Sequence, residues 1–474
     1  MRQRKKQKIV PQKTRIVEGA TAAGDYCLPD ECWETIFKFL IDEGDDNNHH
    51  FRSLSAVSKQ FLSITNQLLF SLNVNNIVNK PSDFLSRIIH RFTNLNSLHL
   101  TGNKIYKSLR QISRLQFITL KSLHLNCKLS QFPSDALRLV SRNITTLTSL
   151  TFSHVPTFYS DHLFLIAECF PLLEQLNLSS PNFPKRIWRH NSSLNEGVKA
   201  LSSSLLKLRK VDLTGHYYMD DQSLCYLFKN WKFLEEAIII GCYHITNNGV
   251  ANALRERPNL RSFSFTSYSY FDPEYAANNF IVCPQLMSLA FTFGHVSKTG
   301  IGLLFASIFP NLQLLDLSRC SLYVDDIFHV LRNCTKIKQL NLTNYSGMMW
   351  HEMNFDVPNL EVLNLSHTMV EDEDLGVISK SCHGLLKLLL VNCCCVTKKG
   401  VHHVVENCKQ LREINLNGCQ NVHANVVASM VLSRPSLRRI IPPQPNYCFS
   451  DTDIELFSRR RCLVQTALTK NVKL

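Results

Sequence analysis

Apolar residues recur along most of the 474-residue chain in the pattern L-x-x-L-x-L, with other apolar residues replacing some of the leucines. Clear copies are "LNSLHL" at residue 95, "LEQLNL" at 173 and "LEVLNL" at 360. With an opening copy, "LFSLNV", and a degenerate last one, "LRRIIP", the copies begin at residues 69, 95, 120, 147, 173, 208, 234, 260, 286, 312, 337, 360, 385, 411 and 437. Most neighbouring copies are 25 to 27 residues apart, so the chain is an array of similar units.

Each unit predicts a short strand followed by a helix. The alternating apolar residues of the pattern give a strand with one buried face. Intervening segments such as "GVHHVVENCKQL" place apolar residues at i, i+3, i+4 and i+7, which is typical of an amphipathic helix. One unit cannot bury its own apolar face, so the units must stack. The predicted fold is an α/β solenoid with parallel strands inside and helices outside, preceded by a small helical module.

The period and the pattern resemble the leucine-rich repeat (LRR) family. Counting from the first leucine of each unit as position zero, eight of the 17 cysteines fall at two positions. They are Cys242, Cys320, Cys393 and Cys419 at +8, and Cys283, Cys334, Cys382 and Cys408 at −3. This placement resembles the cysteine-containing LRR, in which a small buried thiol fills the turn after the strand.

The cysteines do not predict a metal site or a disulfide framework. A zinc site needs four ligands at one point, whereas these cysteines are spread one per repeat along a line. Cys394 and Cys395, which complete the triplet in "VNCCCVTKKG", have no such position, and we expect them to be loop thiols rather than ligands. No metal and no cofactor is predicted, and the thiols should stay reduced inside the cell.

A different module precedes the repeats, in "LPDECWETIFKFL" and "LSAVSKQFLSITN". Pro29 suits the first turn of a helix, and Trp33, Ile36, Phe37 and Leu40 form an apolar face at helical spacing. The motif "LPDE…IF…L…LS…VSKQF" resembles the F-box, and an F-box followed by LRRs resembles the plant branch of that family. Ser58 and Phe61 stand where the family often has Cys and Trp, and the stretch from Leu40 to Leu54 is longer than usual and acidic.

The resemblance implies docking onto a Skp-family subunit and, through it, onto the cullin and RING subunits of an SCF ubiquitin ligase. The docking residues that it implies are Leu28, Pro29, Ile36, Phe37, Leu54, Val57 and Lys59. The alternative from the residues alone is that this module is a helical cap on the first repeat, because repeat arrays need caps.

The charge distribution argues against a nucleic-acid partner. Of the formal net charge of +14, seven units come from residues 1–15 and five from residues 459–474, so the 443 residues between carry only +2. A nucleic-acid surface would place its basic residues on the folded body. No stretch approaches the roughly 18 apolar residues of a membrane span, and no secretory signal begins the chain. We therefore expect an intracellular protein of the nucleus, the cytoplasm or both.

Two sites are predicted for a protein substrate, whose identity stays unknown. One is a rim of aromatic loops beside the polar inner face. The other is the segment "NYSGMMWHEMNF", in which Met348, Met349 and Trp350 replace a repeat helix, with packing as the alternative role. Positions +2, +4 and +6 of each strand face inward and are small and polar, as in Ser97, His99 and Thr101. Aromatic residues in the loops after several strands are typical interface anchors. These residues are Tyr217, Tyr218, Tyr243, Tyr270 and Phe271. The alternative is that they fold back over the corners between strand and helix, as we expect for Tyr345.

The domains predicted are a basic disordered tail (1–25), an F-box (26–66), an LRR solenoid (67–445) and a C-terminal cap with a second basic tail (446–474). The F-box resemblance implies a non-catalytic substrate adaptor of an SCF ubiquitin ligase. The residues do not contradict this function, because the chain shows no nucleophile–base motif and no phosphate loop. Two alternatives stay open: a ligand-dependent co-receptor of the plant-hormone kind, and an LRR scaffold that has lost ligase docking. Hormone receptors of that kind carry a basic solenoid centre, which the near-neutral body here lacks.

Overall fold

The computed structural model describes residues 28–42, 49–75, 83–102, 105–115, 119–126, 132–153, 155, 158–179, 193–266, 270–271, 273–292, 295–296, 300–345, 347, 350–444 and 446–465. The chain divides into two compact units. The first reaches Phe70 and also takes in Arg91–Asn94, and the second contains the rest. Both basic tails, apart from Arg459–Arg461, lie outside the described residues, as does the acidic stretch 43–48.

The repeats form a single sheet. Its strands, in spatial order, are β1 (Ser71–Asn75), β2 (Ser97–Thr101), β3 (Ser122–Asn126), β4 (Ser149–Ser153), β5 (Gln175–Asn177), β6 (Lys210–Asp212), β7 (Glu236–Ile239), β8 (Ser262–Thr266), β10 (Ser288–Thr292), β12 (Leu314–Asp316), β13 (Gln339–Asn341), β14 (Val362–Asn364), β15 (Lys387–Leu389), β16 (Glu413–Asn415), β17 (Arg439–Ile441) and β18 (Leu463–Val464). Every adjacent pair is parallel, as a strand–helix–strand repeat requires. The prediction of an LRR-type α/β solenoid is confirmed.

The register of the sheet follows the sequence pattern. The residue at position +3 pairs with its counterpart in the next unit, as Leu98 does with Leu123 and Leu123 with Leu150. These side chains are buried, while the residues on either side of them in β2, β3 and β4 are half-exposed. The apolar face therefore lies in the core and the polar +2, +4 and +6 positions line the other face, as predicted.

Helices connect most of the strands. Those of the second unit, beginning with the helix that ends at Arg91, are α4 (Phe84–Arg91), α5 (Ile105–Ile112), α6 (Ser134–Asn143), α7 (Ser160–Cys169), α8 (Ser193–Ser204), α9 (Asp221–Asn230), α10 (Asn247–Glu256), α11 (Pro273–Asn279), α12 (Ile301–Ile308), α13 (Val324–Asn333), α14 (Asp372–Ser381), α15 (Lys398–Asn407), α16 (Val426–Ser433) and α17 (Asp451–Arg459). Between β13 and β14, a 3₁₀ turn at Trp350–Glu352 takes the place of a helix, in the shortest unit of the array. The Trp350 side chain is buried, whereas Met348 and Met349 lie outside the described residues.

Two features of the sheet were not predicted. Residues 451–464, assigned from sequence to a terminal cap, instead add a further helix–strand unit, in which Val464 pairs with Ile440. In addition, β9 (Tyr270–Phe271) and β11 (His295–Val296) form a separate two-stranded parallel sheet in the segments that follow β8 and β10. Both features rest on strands of two residues, which are too short to show an alternating pattern.

Neighbouring helices are joined at their amino ends by a repeated contact. Asp372, in the first turn of α14, accepts hydrogen bonds from the backbone nitrogen and the hydroxyl of Thr397, which caps α15. Asp221 of α9 accepts the same pair of bonds from Thr246, which caps α10. In each case one carboxylate accepts hydrogen bonds from the backbone N–H and the hydroxyl of the threonine that caps the next helix. The contact therefore fixes the spacing between two repeats.

The eight register cysteines are all buried. Burial also raises the pKa of several of these thiols, to about 12 for Cys242, Cys382, Cys408 and Cys419. Thiols of this kind are protonated at neutral pH and make poor nucleophiles and poor metal ligands. The interpretation of the +8 and −3 cysteines as packing residues agrees with their burial.

Candidate functional site

The first unit contains three described helices: α1 (Asp30–Asp42), α2 (His49–Ser55) and α3 (Lys59–Leu68). Its interior is aromatic. The ring of Phe61 lies 4.7 Å from Trp33 and 5.0 Å from Phe37, measured between ring centroids. The Ser58 hydroxyl caps α3 by accepting a hydrogen bond from the backbone nitrogen of Phe61, and Gln60 donates to Asp30 of α1. The packing of α3 against α1 therefore uses Phe61, at the position where the F-box family often has Trp.

The outer surface of this unit carries the residues that the F-box resemblance implied, with one exception. Leu28, Pro29, Ile36, Val57 and Lys59 are exposed and Leu54 is half-buried, whereas Phe37 is buried. Phe37, only 1% exposed, packs against Trp33 and Phe61 within its own module. The sequence analysis did not single out Phe39, which is 72% exposed on the same helix, whereas Leu40, which it placed on the apolar face, is 39% exposed. Phe39 follows Ile36 by three positions, and this spacing was the available signal.

The second surface is the edge of the sheet at which the strands end, which we call the carboxyl edge. Its outermost described residues occupy position +9 of their repeats. They include Tyr217, Tyr243, Ser321, Met369, Cys394 and Gln420. Tyr217 and Tyr243 are half-buried and the other four are exposed. Position +9 therefore places one side chain per repeat at this edge.

Tyr218 does not belong to this surface, contrary to the sequence prediction. It is buried, and its neighbour His216 explains why. His216 Nε2 donates to the carbonyl oxygen of Leu178, 2.9 Å away, so Nδ1 must act as an acceptor for the Tyr218 hydroxyl at 2.7 Å. Burial lowers the pKa of His216 to about 4 and raises that of Tyr218, which keeps both side chains neutral. The pair is an internal brace between repeats.

The remaining predicted aromatic residues have mixed outcomes. Tyr270 and Phe271 form β9, and their side chains lie outside the described residues. Tyr345 is buried as expected, and its hydroxyl donates to the carbonyl oxygen of Leu322 at 3.1 Å. The structure therefore places Tyr217 and Tyr243 on the carboxyl edge and withdraws Tyr218 from it.

The polar face of the sheet carries a stacked pair of histidines. The rings of His99 and His124, both at position +4, lie 4.0 Å apart and are parallel to within 3°. Ser122 lies 2.9 Å from His124 Nε2. Burial lowers the pKa of both rings, to about 4 for His124, where a charge on His99 would act in the same direction. At neutral pH the pair is an uncharged aromatic platform within a polar surface.

Among the described residues, no group of three or more His, Cys, Asp and Glu side chains is arranged to hold a metal ion. None of the described helices is long and apolar enough to cross a membrane.

No protein-family model matches the chain. Over 186 residues, 36% of this chain, it is 27% identical to F-box/LRR-repeat protein 4 of Bos taurus, and the match spans 28% of that protein. Among solved structures, the yeast complex of Rad7 and Elc1 has a TM-score of 0.48 at 14% identity, with 93% of this chain and 98% of that chain covered. An LRR protein of Leptospira interrogans has a TM-score of 0.39 at 16% identity, with coverages of 82% and 93%. At the level of sequence, the chain therefore has a distant F-box/LRR-repeat relative, matched over 36% of its length.

Proposed function

We propose that this chain is a non-catalytic substrate-recognition subunit of an SCF-type ubiquitin ligase. Its first unit docks a Skp-family protein, and its repeats hold a protein substrate. The proposal is supported by the F-box-like motif at residues 28–61, by the LRR solenoid and by the F-box/LRR relative.

The observation that carries the proposal is an exposed apolar surface on the three-helix unit. The exposed fractions are 43% for Leu28, 39% for Ile36, 72% for Phe39 and 65% for Val57. A module of about 40 residues has few apolar side chains to spare for its surface, because it can barely bury enough to fold. Several large apolar side chains left in water on one small module are typical of a protein interaction site. The F-box-like motif favours a Skp-family protein as the occupant.

The proposed activity needs no reactive group in this chain. Skp binding brings the cullin and RING subunits, and the ubiquitin-loaded enzyme that they recruit, onto the same assembly as the substrate. Holding two reactants on one assembly raises their effective concentration and restricts their orientation. Substrate lysines are then modified by a partner enzyme, and the adaptor contributes binding alone.

For the substrate we propose the polar face of the sheet together with the carboxyl edge. The polar face offers hydroxyl, amide and imidazole groups at positions +2, +4 and +6, which suit hydrogen bonding to a polypeptide. Tyr217 and Tyr243 add half-buried aromatic rings at the edge, where they could anchor an interface.

The test is binding of a purified Skp-family protein by the full chain. The double variants Ile36→Ala/Leu54→Ala and Leu28→Ala/Pro29→Ala should abolish capture, and Lys38→Ala, an exposed polar change on the same helix, should leave it intact. Circular dichroism must show that every variant keeps its helices. A folded, unmutated chain that binds no Skp-family protein would overturn the proposal and leave the helical unit as a cap on a scaffold.

A further inference from the structure

At the carboxyl edge, the thiol of Cys394 lies close to two other sulfur atoms. These residues are away from the aromatic residues of the proposed substrate surface. The thiol of Cys394 lies 3.7 Å from the thioether sulfur of Met369 and 3.9 Å from the thiol of Cys395. Cys394 and Met369 occupy position +9 in neighbouring repeats, so the stacking of the solenoid brings them together. The sequence analysis predicted that Cys394 and Cys395 are loop thiols rather than metal ligands.

The backbone holds all three sulfur-bearing residues in place. Met369 is flanked by Thr368 and Val370, both buried, although its own side chain is 61% exposed. The two adjacent cysteines are likewise flanked by buried residues, Cys393 and Val396.

A hydrogen bond from the next repeat fixes the cysteine loop further. The side-chain amide of Asn421 donates to the carbonyl oxygen of Cys394 at 2.7 Å. The sulfur donors are therefore presented to solvent from a fixed frame, which lowers the entropy lost when a ligand binds.

Two of the sulfur–sulfur distances match those of a three-coordinate metal site. Metal–sulfur bonds in proteins are about 2.3 Å long, and three sulfurs placed at that distance around one ion form a triangle with sides of about 4.0 Å. The distances from the Cys394 thiol to Met369 and to Cys395, 3.7 and 3.9 Å, are close to two sides of that triangle.

The kind of donor selects the ion. Thiolate and thioether sulfur are soft ligands that select Cu(I), whereas structural zinc takes four ligands. Within the described part of the chain, no third His, Cys, Asp or Glu joins the two thiols to build a zinc site. We propose that Cys394, Cys395 and Met369 bind one Cu(I) ion in a three-sulfur site at the carboxyl edge.

The binding step involves no change in oxidation state. Two thiol protons leave, two thiolates and one thioether bond to the ion, and copper stays as Cu(I).

The test is a titration of the full-length chain with Cu(I), reduced and without oxygen, against a chromophoric Cu(I) chelator. We expect one ion per chain to bind most tightly, with an X-ray absorption signature of three sulfurs at about 2.3 Å. Cys394→Ser and Met369→Leu should each weaken binding more than about tenfold, since even outer-shell partners of metal ligands contribute roughly 10–100-fold. Cys448→Ser, which removes an exposed cysteine elsewhere, is the matched control and should change nothing.

Either of two results would overturn the site. Unchanged affinity in the double variant Cys394→Ser/Cys395→Ser would place the ion elsewhere among the 17 cysteines. Unchanged affinity and a two-sulfur spectrum in both the parent chain and Met369→Leu would exclude the thioether as a ligand. Skp binding measured on the same samples reports on the proposed ligase function separately, because the three sulfur residues lie in the second unit.

Discussion

The thiol of Cys419 lies 2.9 Å from the carbonyl oxygen of Leu390, the residue at position +5 of the preceding repeat. The same bond recurs at Cys320, whose thiol donates to Phe291 at 2.8 Å, and at Cys393. A +8 cysteine therefore fills the turn after its own strand and also donates to a carbonyl group at the end of the preceding strand. The register that is visible in the sequence corresponds to a hydrogen bond repeated between units.

Replacing Cys419 by alanine should destabilise the solenoid by about 1–2 kcal/mol, because it removes a buried sulfur and a hydrogen-bond donor together. Thermal unfolding followed by circular dichroism would show the loss as a lower Tm. Cys448→Ala removes an exposed cysteine and should leave the Tm unchanged. Equal Tm values for the two variants would mean that the +8 thiol contributes no packing.

The contact between Asp372 and Thr397 makes a second prediction, at Gly400. A Cβ added at Gly400 would lie 2.4 Å from a carboxylate oxygen of Asp372, so the carboxylate would have to leave the Thr397 cap. Gly400→Ala should therefore destabilise the chain by about 1–3 kcal/mol, the usual effect of overpacking. Urea unfolding of the variant measures this directly.

Gly376 provides the matched control. It lies inside α14, and an added Cβ would make an ordinary contact with His403 at 3.5 Å. Gly376→Ala should be neutral or stabilising by about 0.4–1 kcal/mol, because it reduces the entropy of the unfolded chain. If Gly400→Ala were as well tolerated, the shared carboxylate cap would have no role in spacing the repeats.

Most of the fold could be predicted because its physical cause is local and repeated. Leu98, Leu123 and Leu150 are in register in the sheet as they are in the sequence, since each stacks on the same position of the previous unit. The polar inner-facing positions follow from the two-residue period of a strand. A pattern that recurs fifteen times also makes a single degenerate copy, such as the one at residue 437, recognisable.

The exceptions depend on contacts that occur once. Ile36, Phe37 and Leu40 share the apolar face that the spacing within α1 predicts, yet of these three only Phe37 is buried, because Phe61 of α3 packs against it. Tyr218 is buried by its contact with His216, which in turn bonds to the carbonyl group of Leu178, 38 positions before His216 in the chain. Met369 and Cys394 are 25 residues apart, the length of one repeat. Their proximity becomes visible only when the side chains at equivalent positions of neighbouring repeats are compared.

The His216–Tyr218 brace makes folding sensitive to acid. Burial holds the pKa of His216 at about 4 in the folded chain, below its ordinary value of 6.5. Between these two pH values the unfolded chain binds more protons, so the stability that His216 contributes is complete above 6.5 and falls as the pH drops toward 4. The loss should be on the order of 3 kcal/mol.

The measurement is urea unfolding at about pH 7 and at about pH 4.5, on either side of most of this titration. Because carboxylates also titrate in this range, the comparison that matters is with His216→Gln, which should show a smaller difference between the two pH values. His90→Gln, a change at an exposed histidine, should show the full difference. An unchanged pH dependence in His216→Gln would assign the acid sensitivity to other groups.

The opposite exposure of Phe37 and Phe39 separates docking from folding in the three-helix unit. Phe39→Ala should lower the affinity for a Skp-family protein by about 2 kcal/mol or more, as expected for an aromatic anchor, with no loss of stability. Phe37→Ala should instead empty the interior beside Trp33 and Phe61 and destabilise the unit by about 3 kcal/mol or more. Calorimetric titration with the Skp-family protein gives the first quantity, and hydrogen exchange across residues 30–68 gives the second. Reduced binding by Phe37→Ala with full exchange protection would mean that Phe37 itself contacts the partner, and a Phe39→Ala variant that binds normally would move the docking surface away from the outer face of α1.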